Sequence, residues 1–415
     1  MIYKRTIEKI ILERTKFIPI TLITGARQVG KSSLMSIFEE RLNYSLTSLD
    51  KPKNEIEAKS NPETFLNHHK LPLIIDEVQK APILFNELVS RVNEIRRKSK
   101  GNEANGMYIL TGSQKYSLMK NVKESMAGRV SIIVMPPLSQ CEIREWEEKP
   151  FEIDISKMFE KSENRELSKN DLYKSIIRGF YPELWKNENY DAKIFYDDYI
   201  ETYLKKDVPD FIELKDKNKF IDFLKFLASI TGKEFVPNNI SIDLGITRST
   251  IESWIAILQA GDIVRLLPPY YEDSVKKQIS KRKKIFFNDT GLVCHLLGIE
   301  NVEMFEKYIN KGSVIETYIH NEIRKTYINN GINIDNKMFY YQDLQQNEID
   351  LIILHNGGLN LIECKSTNKP RIDVIRNLKR FLNSKYSVVG QCVICLVDEP
   401  KKLAPDVYAF PVKCI

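Results

Sequence analysis

The stretch Pro19 to Phe38, PITLITGARQVGKSSLMSIF, constrains this chain more than any other. An apolar run from Ile20 to Thr24 reads as a buried strand, and Leu34, Ile37 and Phe38 recur on one side of a helix. Between them lies Gly25-x4-Gly30-Lys31-Ser32, a Walker A motif in the strand–turn–helix setting that it requires. Gly25 and Gly30 let the backbone curl so that successive N–H groups and a helix N-terminus face phosphates. The expected nucleotide cradle is therefore Gly25, Ala26, Arg27, Gln28, Val29, Gly30, Lys31, Ser32 and Ser33. Lys31 would reach the β- and γ-phosphates of ATP, and the Ser32 hydroxyl would ligate Mg²⁺.

A second motif completes the first. Leu73-Ile74-Ile75-Asp76-Glu77 is a buried-strand run that ends in two acids. At such a strand end Asp76 would hold Mg²⁺ through its water shell, and Glu77 would orient and deprotonate the attacking water. A helix pattern over Leu84, Leu88, Val92 and Ile95 follows, then a strand from Met107 into Thr111-Gly112-Ser113-Gln114. Ser113, a polar residue beside the acidic strand end, is the candidate sensor of the γ-phosphate. A further strand, Val130 to Met135, follows Ala127-Gly128-Arg129 and stops at Pro136-Pro137. Strands alternating with helices predict a parallel α/β sheet with phosphates at the carboxyl ends of its strands.

These segments carry a resemblance. Thr24 to Ser32, Ile75-Asp76-Glu77-Val78-Gln79, Leu110-Thr111-Gly112-Ser113 and Glu124-Ser125-Met126-Ala127-Gly128-Arg129 resemble the bacterial and archaeal AAA+ ATPases whose C-terminal half is a domain of unknown function. The resemblance implies an ATPase that binds ATP and ADP. It also implies that Arg129 contacts the γ-phosphate, in cis or from a neighbouring subunit of a homo-oligomer; the alternative is a surface arginine paired with Glu124. Gly179-Phe180-Tyr181-Pro182-Glu183 and Tyr199-Ile200-Glu201-Thr202-Tyr203-Leu204-Lys205-Lys206-Asp207 are similar to two further signatures of that family, except that Tyr181 stands where the family usually runs Gly-Gly-Phe-Pro.

At 415 residues the chain predicts about three domains rather than one. Composition excludes disorder: 42% of residues are apolar and 28% charged. The net charge of +6 is too small to nominate nucleic acid as a partner without local clustering. No apolar run approaches the roughly 18 residues that span a bilayer, and the start MIYKRTIEKIILERTKF is too charged for a signal peptide, so the expectation is a cytoplasmic protein with no membrane partner. Sparse cysteines fit a reducing compartment, and Cys392-Val-Ile-Cys395 reads as part of a strand rather than as a metal or redox pair.

The expected organisation is multidomain: an α/β P-loop AAA+ domain over 1–140, a helical lid over 141–215, a winged helix-turn-helix over 216–290 and a C-terminal α/β nuclease-like domain over 291–415. The third segment offers a helix with Phe220, Ile221, Leu224 and Leu227, a short helix Ser241 to Leu244, a helix Arg248 to Ala260, and then two strands. Three helices followed by a β-hairpin describe a winged helix. The outward face of its third helix is a poor base reader, with Arg248 offset by Glu252. The segment between the strands, Lys276-Lys277-Gln278-Ile279-Ser280-Lys281-Arg282-Lys283-Lys284, packs six positive charges into nine residues and suits phosphate contacts on DNA without sequence choice. A solvated loop or a contact with a neighbouring subunit is the alternative.

In the last segment Ser313-Val314-Ile315-Glu316 opens a helix, and Glu348 to Leu354 and Leu359 to Lys365 form strands around Asn356-Gly357, a strong hairpin signal. A two-residue loop there sets Asp350 opposite Glu363, and period-two alternation puts Lys365 on the same face. This arrangement resembles the PD-(D/E)xK nuclease fold, without its proline and with Cys364 at a position more often aliphatic. The resemblance implies that Glu316, Asp350 and Glu363 hold Mg²⁺ while Lys365 steadies the nucleophile or the developing charge. The alternatives are a capping box between Ser313 and Glu316 and a surface ion pair between Glu363 and Lys365. Taken together, the sequence predicts an ATP-hydrolysing protein whose C-terminal half binds DNA and carries a candidate cleavage site, or else a nucleotide-controlled switch with an inert nuclease-like domain.

Overall fold

A computed structural model describes residues 3–98, 103–112, 126, 128–206, 217–271, 282–343, 345, 347–355, 357–378 and 387–415. The chain divides into two compact units. The first holds Met1–Leu138 with Ala260–Asp262 and Ile328–Gly331, and the second holds Ser139–Gln259, Ile263–Tyr327 and Ile332–Ile415.

In the first unit the strands β1 (Ile20–Thr24), β2 (Ser45–Ser48), β3 (Leu73–Asp76), β4 (Tyr108–Gly112) and β5 (Val130–Val134) form one parallel sheet in the order β2-β3-β4-β1-β5. β1, β3 and β4 are mostly apolar or β-branched, apart from Asp76 and Gly112 at their carboxyl ends, and are buried along their whole length, as central parallel strands must be when helices cover both faces. The chain leaves β1 for the sheet edge, returns through β3 and β4, and so brings the carboxyl ends of β1, β3 and β4 side by side. Leu22, Ile75 and Leu110 from these strands pack with Phe85, Leu88 and Val92 of the helix Leu84–Lys98.

The second unit begins with helices Gln140–Ile143, Ile155–Asn164, Lys169–Arg178, Pro182–Lys186 and Ala192–Lys206. Helices Lys217–Ser229, Pro237–Leu244 and Arg248–Ala260 come next, with a three-stranded antiparallel sheet of β6 (Glu234–Phe235), β7 (Val264–Leu267) and β8 (Lys283–Phe287) in the order β6-β8-β7. Beyond helices Thr290–Leu296, Val302–Lys307 and Lys311–Asn329 lies a six-stranded mixed sheet. Its strands are β9 (Met338–Gln342), β10 (Glu348–His355), β11 (Gly358–Cys364), β12 (Val388–Cys395), β13 (Lys401–Ala404) and β14 (Val407–Pro411), in the order β13-β14-β12-β11-β10-β9. β9, β10 and β11 are antiparallel, whereas β11, β12 and β14 run parallel. Cys392 and Cys395 are buried free thiols on β12.

Buried polar contacts lock the front of this second unit. Asp289 caps the helix Thr290–Leu296, accepting from the Leu292 N–H at 2.9 Å, and it also accepts from the Phe180 N–H at 2.7 Å and the Tyr196 hydroxyl at 2.6 Å. The Gly179-Phe180-Tyr181-Pro182 turn is therefore interior to this unit, with Phe180 and Tyr181 buried. Gly179 and Gly291 meet backbone to backbone: a Cβ on Gly291 would lie 2.5 Å from the Gly179 Cα. Gly291→Ala is expected to destabilise the second unit by about 1–3 kcal/mol through overpacking against main chain. Thermal unfolding checks this, and a melting temperature equal to wild type would show that the two segments separate easily.

Candidate functional site

Two constellations stand out. In the first unit Gly25, at φ +147°, lies under the Met135 carbonyl, where a Cβ would be only 2.2 Å from that oxygen. Gly30, at φ +96°, turns the chain into the helix Lys31–Leu42. Arg5 braces the loop from below, donating to the carbonyls of Val29 and Pro136 at 2.7 Å each. Nothing in the sequence marked that arginine. Ala26 and Val29 are buried, whereas Gln28, Ser32 and Ser33 face solvent.

Lys31 is buried and donates to the carbonyls of Gly25 (2.9 Å) and Ala26 (2.7 Å). Burial depresses its ammonium to about 8. The Ser32 hydroxyl donates to both Asp76 oxygens, at 3.2 and 3.1 Å, and the Thr111 hydroxyl donates to Asp76 as well. A hydroxyl beside a buried carboxylate is the donor set that Mg²⁺ takes next to nucleotide phosphates, so these residues fit that ion. Glu77 sits in the left-handed region at φ +57°; its N–H donates to the Thr111 hydroxyl at 3.3 Å, and its carboxylate accepts from the Gln79 amide. Burial raises the Glu77 carboxyl above its ordinary range. Thr111 holds both acids in place, a role to which its position at a polar strand end was the only clue.

The remaining expected residues of this site divide. Ser113 lies outside the described residues. Arg129 directly precedes β5, which pairs in parallel with β1 from Ile20↔Val130 to Thr24↔Val134. The arginine is thus at the opposite end of the sheet from Lys31, across roughly 16 Å of strand, too far to touch phosphates bound in its own chain. Its guanidinium donates instead to Asn93 Oδ1 at 2.8 Å.

The second constellation lies in the second unit. β10 and β11 pair in the register expected of a two-residue connection, from Leu351↔Ile362 to His355↔Gly358. Lys365 Nζ donates to Asp350 Oδ2 at 2.8 Å and to Glu363 Oε2 at 2.7 Å, and the Cys364 N–H donates to Asp350 Oδ2 at 2.7 Å. Asp350 and Glu363 are both buried, so Glu363–Lys365 is not a surface pair. Burial and the Asp350 charge push the Glu363 carboxyl up. Burial opposes ionisation of Asp350 too, yet Lys365 and Lys284 outweigh it and hold that carboxyl down.

Two departures from the sequence reading follow. The carboxylate oxygens that lie within 4.8 Å of one another belong to Glu316, Glu348 and Asp350, a set that adds Glu348 to the expected acids, while Glu363 adjoins Asp350 and Lys365. Glu348 was legible, since Glu348 and Asp350 are two apart on one strand and share a face. The second departure is Lys284. It was expected among the phosphate-facing basic residues, but it is buried, 3.3 Å from Glu316 Oε1 and also bonded to Glu348. Its neighbour Arg282 pairs with Glu234 at 3.1 Å, while Lys276, Lys277 and Lys281 lie outside the described residues. The helix carrying Glu316 starts at Lys311, so Ser313 is inside it and forms no capping box with Glu316.

The ammonium groups of Lys284 and Lys365 thus already pair with the carboxylates of this cluster. The first site differs, because the partners of Lys31 are neutral carbonyls. Bound phosphates would restore the Lys31 charge, so ATP binding should take up a proton at alkaline pH. Affinity is expected to be complete below pH 8 and to fall above it, by up to about tenfold per pH unit. Dissociation constants measured from pH 7 to pH 10 check this, and a flat profile would show that Lys31 stays charged without nucleotide.

Residues 18–144 match the family model of an AAA domain. Residues 169–303 and 311–415 match two domains of unknown function, DUF8612 and DUF4143. Uncharacterised proteins of Mycobacterium bovis and Mycobacterium tuberculosis are each 23% identical over 355 residues, covering 85% of this chain and 72% of theirs. Among solved structures, a Walker-type ATPase of Pyrococcus abyssi is 14% identical with a TM-score of 0.44, covering 71% of this chain and 96% of its own. The RuvB Holliday junction branch migration motor of Thermotoga maritima is 15% identical with a TM-score of 0.30, covering 63% of this chain and 87% of its own. Among the described residues no helix is long and apolar enough to cross a membrane. The family match and the joined Walker motifs make the first unit a P-loop AAA-type ATPase domain, followed in the same chain by a C-terminal DUF4143 domain.

Proposed function

We propose that this protein binds and hydrolyses Mg²⁺-ATP in its first unit and uses the nucleotide state to control a C-terminal half that contacts DNA. The observation that carries the ATPase part is the meeting of Lys31, Ser32, Asp76, Glu77 and Thr111 at the carboxyl ends of β1, β3 and β4. Residues Gly25 to Ser33 would wrap the phosphates, with Lys31 exchanging the Gly25 and Ala26 carbonyls for phosphate oxygens. Ser32 and Asp76 would hold Mg²⁺, which neutralises developing charge when bound. Glu77, made more basic by burial, would orient the water and take its proton, and Ser113 would sense the γ-phosphate. Arg129, too far from its own P-loop, would serve the site of a neighbouring subunit, which requires a homo-oligomer.

Lys31→Ala should abolish ATP binding, and Glu77→Gln should keep it while hydrolysis falls by roughly 10²- to 10⁴-fold. Normal turnover in Glu77→Gln would end this assignment of the base. Arg129→Ala should also be inactive alone, yet regain turnover when mixed with Glu77→Gln, because hybrid interfaces then pair an intact Glu77 with an intact Arg129. Failure of mixing to restore turnover would remove the role in trans.

For the remainder of the chain the reading is a helical lid over 141–215, a winged helix-turn-helix over 216–290 and a nuclease-like domain over 291–415, in a cytoplasmic protein. Three helices followed by an antiparallel ribbon support the winged helix, and Glu316 on a helix beside the Asp350 and Glu363-Cys364-Lys365 hairpin supports the nuclease-like fold. DNA would be held by phosphate contacts from Lys276, Lys277, Lys281 and Lys283. Changing Lys276 and Lys277 to Ala should flatten the slope of log K against log [salt] by about one to two units. Binding that is insensitive to salt would favour a protein contact instead. A second reading, a nucleotide-controlled switch whose nuclease-like domain is inert, is favoured by the ammonium groups that already neutralise Glu316, Glu348, Asp350 and Glu363.

A further inference from the structure

We propose that Lys284 is a built-in counter-ion that fills the acidic cluster of Glu316, Glu348 and Asp350 and keeps divalent metal ions out of it, so that removing its ammonium opens a Mn²⁺ or Mg²⁺ site. The inference stands on the second unit alone and holds whether or not the ATPase and DNA readings do.

Three carboxylates whose oxygens come within 4.8 Å of one another repel strongly unless a cation lies among them. Lys284 supplies it from outside the nuclease-like segment. It pairs with Glu316 at 3.3 Å and with Glu348, under a Tyr340 ring 5.4 Å from its nitrogen. Its backbone is fixed on both sides, since β8 is the central strand of its sheet and Lys284 pairs with Glu234 on β6 and Leu267 on β7. The sheet anchors the backbone that carries the ammonium, and Glu316, Glu348 and the Tyr340 ring hold the ammonium itself. A metal ion entering the cluster would meet that positive charge at contact distance, and a second one from Lys365, paired with Asp350 at 2.8 Å.

The cluster is otherwise equipped as a metal site. His320, fully buried and stacked on Phe286, lies one helical turn from Glu316, with Nε2 3.9 Å from Glu316 Oε1. Its ring also approaches the Asp350 backbone, so the imidazole lies between two of the three acidic residues. Without the ammonium, one imidazole and three carboxylates would adjoin the same space, a donor set suited to Mn²⁺.

The test uses nucleotide-free full-length protein and Mn²⁺ as the probe, followed by electron paramagnetic resonance and by thermal unfolding. Wild type should show no Mn²⁺ binding that depends on Glu348. Lys284→Met should gain a Mn²⁺ site at least roughly tenfold tighter than anything in wild type, with a Mn²⁺-dependent rise in melting temperature. Lys284→Met combined with Glu348→Gln should lose both. Wild-type Mn²⁺ binding abolished by Glu348→Gln, or a folded Lys284→Met variant that gains nothing, would overturn the proposal. Should Lys284→Met fail to fold, wild type decides through amine acylation mapped by peptide mass. Lys284 should stay unmodified with and without millimolar Mn²⁺, and labelling that appears when Mn²⁺ is added would mean that metal displaces it and would overturn the proposal.

Discussion

Compensation of buried charge by Lys284 is the constraint on which the second unit depends. Its ammonium joins β8, the helix Lys311–Asn329 and β10, three elements far apart in the chain, through Glu316 and Glu348. Lys365 extends the same network to β11. A buried acid left without its partner costs on the order of 3–5 kcal/mol, so each member of this network is held in place by the others. The packing of the six-stranded sheet against that helix therefore has an electrostatic requirement as well as an apolar one.

The two sites use lysine in opposite ways. Lys31 rests on the carbonyls of Gly25 and Ala26, neutral partners that incoming phosphates can replace at little cost. Lys284 and Lys365 rest on carboxylates, and exchanging those for a weaker partner would leave charges uncompensated in a buried setting. Lysines and acids of the same kinds thus make a ligand-ready loop in one unit and a self-neutralised cluster in the other. This contrast separates the nucleotide chemistry of the first unit from the DNA cleavage that the C-terminal motif suggests.

Much of this was legible in the chain. The Walker motifs are contiguous, and local backbone needs fix their geometry: Gly25 at φ +147° under the Met135 carbonyl, Gly30 at φ +96° before a helix. The β10–β11 register followed from the loop at Asn356-Gly357, because a short turn and period-two alternation determine which side chains share a face. The same rule would have found Glu348. Sequence by itself thus determined the nucleotide loop, the two acids at the end of β3 and the facing of Asp350 and Glu363, since each depends on residues close together in the chain or joined by one turn.

Tertiary structure decided the rest. Lys284 reads as one of a basic run, and only the pairing of β8 between β6 and β7 turns it inward toward Glu316 and Glu348. Arg129 reads as a phosphate contact, and only the parallel pairing of β5 with β1 puts it at the far end of the sheet from Lys31. The Gly179–Gly291 contact and the convergence of Phe180 and Tyr196 on Asp289 join segments roughly a hundred residues apart. Charge, motif and periodicity describe what a residue offers, but its partner across such separations is chosen by packing, and packing is a property of the whole fold.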